Sequence, residues 1–255
     1  MRALLAAALL LAPAAALARG AAARPARIPA AAKAADGTDL PIYAASTAPV
    51  TVALVRERFA ELDARMVTLG ADFQQFVTLD GADASQEVAG TVLFKTPDLM
   101  RLTQRLPEPQ TVVSDGTWLW VHRPSTNQVI KSRLADWRRS QPLAKGLLDF
   151  GRTAGLLDRY AAVVSTVSAP GPDGYRTFVV TLTPKGKGRD DDASFTLALT
   201  ASTKDFFPAR SDLRVGRAEI RSRFENVRLN PALPDGDFRF TPPAGADVFT
   251  APAAP

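Results

Sequence analysis

Apolar residues first fall into a regular pattern between Val52 and Met66. Val52, Val55, Phe59, Leu62 and Met66 recur at steps of three and four, while Arg56, Glu57, Arg58, Glu61 and Arg65 fill the remaining positions. That spacing predicts an amphipathic helix with one buried face. Thr47 is the expected N-cap, with Pro49 in the first turn and Gly70 at the stop. From residue 71 the period changes to two. Strands are predicted over Phe73–Leu79, Glu87–Lys95, Leu99–Leu106, Thr111–Val113, Trp118–His122 and Gln128–Lys131. The segments between them, among them Thr96-Pro97-Asp98 and Ser114-Asp115-Gly116, carry turn chemistry. Connections this short imply antiparallel hairpins, because parallel neighbours need longer crossovers.

The alternation breaks over residues 134–160. There Leu134, Trp137, Leu143, Leu147, Leu148, Phe150, Leu156 and Leu157 are interrupted by Pro142, Gly146, Gly151 and Gly155, which reads as short helices with joints. Strands resume over 161–167, 175–183, 195–200, 208–215 and 218–229, and Phe238-Arg239-Phe240 is expected as a last short strand. A helix, a run of strands, a helical insert and more strands describe an α+β domain. A sheet of so many antiparallel strands tends to curl, and the helices gathered on one face must cover its concave side or leave it wet.

The ends differ from this domain. Met1-Arg2, an apolar run from Ala3 to Leu17 and small residues at Ala16 and Ala18 have the form of a secretory signal peptide, residues 1–18. The run falls short of the ~20 residues of a spanning helix, although an uncleaved signal anchor is the alternative. Residues 19–46 are rich in Ala and Pro and are expected to form a disordered leader. Residues 47–249 form the domain, and 250–255 a loose tail. No cysteine is present, which removes disulfides, thiol chemistry and lipid attachment at a new N-terminus. The net charge of +5 is spread along the chain without a dense basic stripe, which argues against nucleic acid as a partner.

Catalytic chemistry is poorly supplied. His122 is the single histidine, so a His-rich metal site is excluded, and no nucleophile-elbow motif lies near it. Asp190-Asp191-Asp192 lacks the spacing of a calcium loop, and Lys185-Gly186-Lys187-Gly188 lacks that of a phosphate loop. No cofactor, no metal and no enzymatic activity are expected. What remains is a surplus of apolar residues on strands: Val92 with Phe94, Trp118 with Trp120, Phe178 with Val180 and Phe195 with Leu197 and Leu199, each pair sharing a face. Such residues form ordinary core, or they line a hollow that the helices cover without filling.

Four segments carry a resemblance. Val113-Ser114-Asp115-Gly116-Thr117-Trp118-Leu119-Trp120-Val121-His122-Arg123-Pro124 is similar to the VSDG-x-x-LW-x-Y-x-P signature of the LolA family of outer-membrane lipoprotein carriers. Gly90–Pro97 resembles the family's G-x-L-x-x-KRP strand end, and Phe238–Val248 its closing F-x-F-x-PP-x-G-x-x-V. The first helix followed by Phe73-Gln74-Gln75 resembles its opening. The resemblance implies an incomplete barrel in the periplasm, a monomer, that shields lipoprotein acyl chains between an inner-membrane releasing complex and an outer-membrane receptor. It implies cavity positions at Phe73, Phe94, Leu102, Trp118 and Trp120, and lid positions at Leu143, Leu147 and Leu148. Where the family has a latch arginine this chain has Thr96, next to Lys95, which points to the other face of a strand. Two further readings remain: a periplasmic sensor domain for lipid or lipoprotein, and a carrier of another lipid such as a fatty acid or glycolipid.

Export supplies the first test. The intact mass of the secreted protein should correspond to an N-terminus at Arg19, or at Arg24 if cleavage follows Ala23; a retained Met1 identifies the anchor alternative.

Overall fold

The structure, a computed structural model, describes residues 38–80, 85–140, 151–185 and 195–251. Helix α1 (Val52–Arg65) is capped by Thr51, whose Oγ1 accepts the Leu54 N–H at 3.2 Å. The cap lies four residues beyond the expected Thr47. A helix started at Thr47 would place Ala48 in its first turn directly before Pro49, where the proline ring disfavours helical backbone. The helix also ends early, at Met66, and Gly70 lies inside a strand.

Twelve strands form one sheet among the described residues: β1 (Thr68–Leu79), β2 (Gln86–Lys95), β3 (Leu99–Leu106), β4 (Gln110–Asp115), β5 (Trp118–Arg123), β6 (Gln128–Arg133), β7 (Ala161–Val167), β8 (Thr177–Thr183), β9 (Phe195–Ser202), β10 (Arg210–Val215), β11 (Ala218–Leu229) and β12 (Asp247–Thr250). Their order is β12-β6-β5-β4-β3-β2-β1-β11-β10-β9-β8-β7, so β7 and β12 are edges and the barrel is not closed. Every pairing is antiparallel except β12 on β6, which is parallel. The parallel pair follows from the long route back taken by the chain after β11. Two short helices, α2 (Leu134–Ser140) and α3 (Ala154–Arg159), flank residues 141–150. The expected lid residues Leu143, Leu147 and Leu148, with Pro142 and Gly146, lie outside the described residues, as do the loop residues 186–194 and the leader up to 37.

The cores lie on one face of the sheet. Val55 and Phe59 of α1, with Leu156 and Leu157 of α3, pack on Phe178, Val180, Leu182, Leu197, Leu199 and Leu213. Leu62 and Met66 meet Leu69, Phe94, Phe207 and Leu229. Leu134 of α2 joins Phe73, Val88, Val92, Leu102, Val112, Leu119 and Val121, with Trp137 against them. The helices therefore sit on the concave face, α1 and α3 over the β8–β10 half and α2 over the β3–β6 half.

Two segments depart from expectation. Residues 38–46 belong to the fold and not to a loose leader. Thr38 pairs with Leu229, Tyr43 N donates to Lys204 O, and the Tyr43 hydroxyl donates to Glu61 at 2.8 Å with Arg58 over its ring. Glu61 lies below the ordinary carboxylate range because Tyr43 and Arg58 donate to it. A short-range reading of composition misses anchors that arise from such distant partners. Phe238-Arg239-Phe240 is also not a strand. Asp235–Phe238 is a 3-10 turn, and the segment around it crosses the outer face. Phe238 is buried, Lys95 binds Asp235 at 2.6 Å, and Arg101 donates to the Asp237 and Arg239 carbonyls. Asn230 begins this strap, accepting from Val67 N and Thr68 N while donating to Arg65 O.

Phe238→Ala should lower unfolding stability by about 3 kcal/mol in denaturant melts, the cost of emptying a closed aromatic site. Asp235→Ala, at an exposed ion pair, should leave the melts essentially unchanged.

Candidate functional site: the concave face under the helices

Strand register decides which side chains share this face. Across one half of the sheet Ala71 pairs with Val92, Val92 with Leu102, Leu102 with Val112, Val112 with Val121 and Val121 with Ile130. This row is wholly apolar. The next row towards the β2–β3 turn runs Leu69, Phe94, Met100, Ser114, Leu119 and Ser132. On the other side lies a row that changes from apolar to polar: Phe73, Gly90, Gln104 and Gln110 are successive partners, and Arg123 donates to Gln110 Oε1 at 3.2 Å. A Cβ on Gly90 would lie 2.9 Å from Phe73 Cε1 and 2.1 Å from Thr103 O, so only glycine lets the ring lie there. The apolar field is thus about two rows deep and bounded by a polar edge.

Phe73, Phe94 and Leu102, three of the positions singled out from sequence, share this face. Trp118 and Trp120 do not. Val121 and Leu119 occupy the concave side of β5, so both tryptophans point to the outer face. There Lys131 lies 3.9 Å from the Trp118 ring and 4.6 Å from the Trp120 ring, and Arg133 lies 4.5 Å from Trp118. Phe240 of the C-terminal strap stacks on Trp120 at 5.7 Å and on His122 at 5.8 Å. The pair shares a face, as expected from its spacing, but that face is the ladder that seats the strap. The sequence of β5 has large apolar residues at every position from Trp118 to Val121, so alternation alone could not choose.

Lys95 points outward to Asp235, opposite the site. Thr96 sits below the chain leading to α3, its Cγ2 3.7 Å from where a Cβ on Gly151 would lie. Its hydroxyl donates to Val67 O at 3.3 Å and its N–H to the same oxygen at 2.9 Å, so Thr96 binds the link between α1 and β1. The polar tie to the helices lies two residues on, at Asp98. Asp98 Oδ1 accepts from Arg138 of α2 at 2.6 Å and lies 3.4 Å from Arg152, just before α3. Burial pushes this carboxyl up, but the Arg138 hydrogen bond and the charges of Arg138 and Arg152 outweigh it and hold the group below its ordinary range. The signature residues around Asp115 build the neighbouring turn: Asp115 Oδ1 accepts from Thr117 N and Trp118 N, and Ser114 Oγ donates to Asp98 O at 2.7 Å. Helix α3 is fixed from the other side, with Asp63 accepting the Ala154 N–H at 2.8 Å and Arg56 pairing with Asp158 at 3.0 Å. Asp63, Asp98, Arg138 and Arg152 were not singled out from sequence; isolated charges give no periodic signal.

Among the described residues no group of three or more His, Cys, Asp or Glu side chains could hold a metal, and no helix is long and apolar enough to cross a membrane. An open antiparallel sheet with an apolar concave field under helices, and the Ser114–Trp120 turn beside it, matches the expectation raised by the motifs. Comparison with known proteins decides the family: the family model described as outer membrane lipoprotein carrier protein LolA matches residues 64–241. The chain belongs to the LolA family. The outer-membrane lipoprotein carrier protein of Dechloromonas aromatica is 32% identical over 184 residues, 71% of this chain and 80% of that protein. Its counterpart from Albidiferax ferrireducens is 31% identical over 193 residues, 70% of this chain and 83% of that one. A crystal structure of a LolA superfamily protein from Nitrosomonas europaea aligns with 75% of this chain and 99% of its own at 17% identity, with a TM-score of 0.43.

Within this LolA family member the Asp98 ion pairs carry a pH signature. A carboxyl held below its ordinary value of 3.8 contributes stability above that value, and the contribution is lost as pH falls through the lower folded-state value. The stability gap between the parent protein and Asp98→Asn should therefore be constant well above pH 3.8 and close as the pH falls below it in unfolding titrations. A gap that widens on acidification contradicts the assignment.

Proposed function

We propose that this LolA family member is a periplasmic carrier that takes the acyl chains of lipoproteins onto its concave face and shuttles them between the inner and outer membranes. The apolar row from Ala71 to Ile130 carries this reading, because a continuous strip of hydrocarbon side chains under removable helices suits a hydrocarbon ligand. The names of the relatives support it: each is an outer-membrane lipoprotein carrier protein, a carrier and not an enzyme. An inner-membrane releasing complex and an outer-membrane receptor are the partners such a route needs.

The energetics fit reversible carriage. Each methylene removed from water is worth about 0.8 kcal/mol, so one chain of roughly 16 carbons gains on the order of 10 kcal/mol before ordering costs. The apolar strip supplies a matching surface. Its members are closed off here, Val92 at 1% and Leu102 at 2% exposure, so an acyl chain reaches them only when the helices above are displaced. Holding and releasing cargo then become one equilibrium, between helices on the strip and acyl chain on the strip. Phe73, Phe94 and Leu102 face the cargo, with Leu143, Leu147 and Leu148 as its cover.

Photo-crosslinking tests this at positions that tolerate an aromatic side chain. A benzophenone amino acid at Phe73 or Phe94 should crosslink to a diacylated lipopeptide, and one at Trp118 or Trp120 should not. Equal labelling of both faces, or labelling of the tryptophan positions alone, removes the concave face as the site. Mass spectrometry of organic extracts from the purified protein distinguishes lipoprotein cargo from a free fatty acid or glycolipid.

A further inference from the structure

Two carboxamides on the concave face are left unsatisfied by their apolar surroundings. Gln104 follows Leu102 on the inward side of β3 and is 2% exposed. Its Nε2 donates to Glu108 O at 3.0 Å, while its Oε1 is buried with no hydrogen-bond partner among the described residues. Turning the amide over does not help, because a backbone carbonyl only accepts and must face the NH2 end. Gln75 lies two residues beyond Phe73 on β1 and is 6% exposed. One end of its amide bonds Ser222 Oγ of β11 at 3.0 Å, and the other end is again buried without a partner. The serine hydroxyl can give or take, so either setting of Gln75 leaves one end free. Register brings both amides to the same aromatic ring. Gly90 pairs with Phe73 on one side and with Gln104 on the other, and the Phe73 ring lies over Gly90. Gln75 is the next inward residue of β1 after Phe73. The two glutamines therefore flank Phe73 at the border where the apolar strip ends.

We propose that Gln104, with Gln75 across the Phe73 ring, forms a subsite for a secondary amide N–H next to the acyl chains of the cargo. Buried polar atoms almost always find partners, and an unpaired one disfavours the closed state until something completes it. The chemistry of the completing group follows from the free atom. Gln104 Oε1 is an acceptor, so it needs a donor. Hydrocarbon has none, and an ester linkage offers oxygen acceptors alone. A secondary amide supplies the N–H, whether it joins an acyl chain to the peptide or lies in the peptide bond that follows. Its carbonyl suits Gln75 when that amide presents its NH2 end. The Glu108 bond anchors Gln104 to the β3–β4 turn, so its oxygen is positioned before a ligand arrives. The place fits as well. Gln104 pairs with Gln110, which accepts from Arg123, so polar side chains continue along this edge. Phe94 and Met100 lie at the opposite, apolar end of the same strands. A chain on the strip would then have its linkage at the glutamines and its methyl end near Phe94 and Met100. The proposal deepens the carrier reading and rests on it for the identity of the cargo.

Binding titrations on the mature chain as parent, Gln104→Met and Gln75→Met test this with lipopeptides of identical chains. One is N-acylated, one is the same molecule N-methylated at its acyl amide, and one is N-methylated at the next peptide bond. N-methylation removes a single donor and keeps every carbonyl. The parent should bind the unmethylated lipopeptide about tenfold more tightly than one of the methylated forms, and the form that loses affinity identifies the acyl amide or the peptide amide as the donor. Gln104→Met should bring that ratio to within about twofold by weakening the unmethylated lipopeptide alone, and Gln75→Met should lower it as well. Either variant carries the test if the other does not fold. A parent that binds all three alike, or a ratio that survives in the folded variants, overturns the subsite and leaves the carrier reading standing. N-ethylpalmitamide and its N-methylated form separate the two claims from the other side. The same ratio with this pair, without lipopeptide binding, upholds the subsite and overturns lipoprotein as the cargo. No binding of any probe by the parent overturns both.

Discussion

Side chains in a β-strand alternate between two faces, and in this protein one row stays in register from β1 through β2, β3, β4 and β5 to β6, the register shift of β2 against β3 at Ala89–Gly90 lying outside it. Each pairing fixes the next, so Ala71 determines that Val92, Leu102, Val112, Val121 and Ile130 point inward together. A slip of one residue at any ladder would turn the strip outward and bring Arg101, Thr103 or His122 into its place. The devices that hold register are accordingly local and specific. Gly90 admits the Phe73 ring, the Asp115 carboxylate closes the β4–β5 turn, and a bulge near Asn226 absorbs the extra residue of β11 opposite Ala71.

The two faces then acquire different roles. The concave face takes the helices; the outer face of β2–β6 takes the strap from Asn230 to β12. Phe238 and Phe240 fill the outer side as Phe73 and Phe94 fill the inner one. The concave front is held differently, with charge supplementing hydrocarbon contact at Asp98, Asp63 and Arg56. The strap is held by buried aromatics and the cover in part by ion pairs, and on the carrier reading proposed above this difference lets the cover leave while the strap stays.

Much of this was legible in the chain. Alternation placed eleven of the strands near their observed positions, and the breaks at Pro142, Gly146, Gly151 and Gly155 marked the insert. Phe73, Phe94 and Leu102 were singled out through the family resemblance, and the strand register brings these three onto one face. Counting failed where neighbours are all apolar. Trp118, Leu119, Trp120 and Val121 give no contrast, and only pairing with Val112 and Ile130 shows which of them face inward. It failed again where partners are remote in sequence. Tyr43 against Glu61, Phe240 against Trp120 and Arg138 against Asp98 are contacts that no local pattern announces. Thr96 was read alone as a latch position, whereas the ion pairs with Arg138 and Arg152 are made by Asp98, two residues on.

The central claim is that hydrocarbon enters between the helices and the concave face. Methyl-labelled NMR spectra of the mature protein, titrated with a diacylated lipopeptide, address it directly. The account predicts large shifts and intermolecular contacts at the methyls of Leu102, Val112, Val121 and Ile130, with the outward methyls of Leu93, Val163 and Val179 unmoved. Shifts confined to the outward set, or none at saturating lipopeptide, would contradict it.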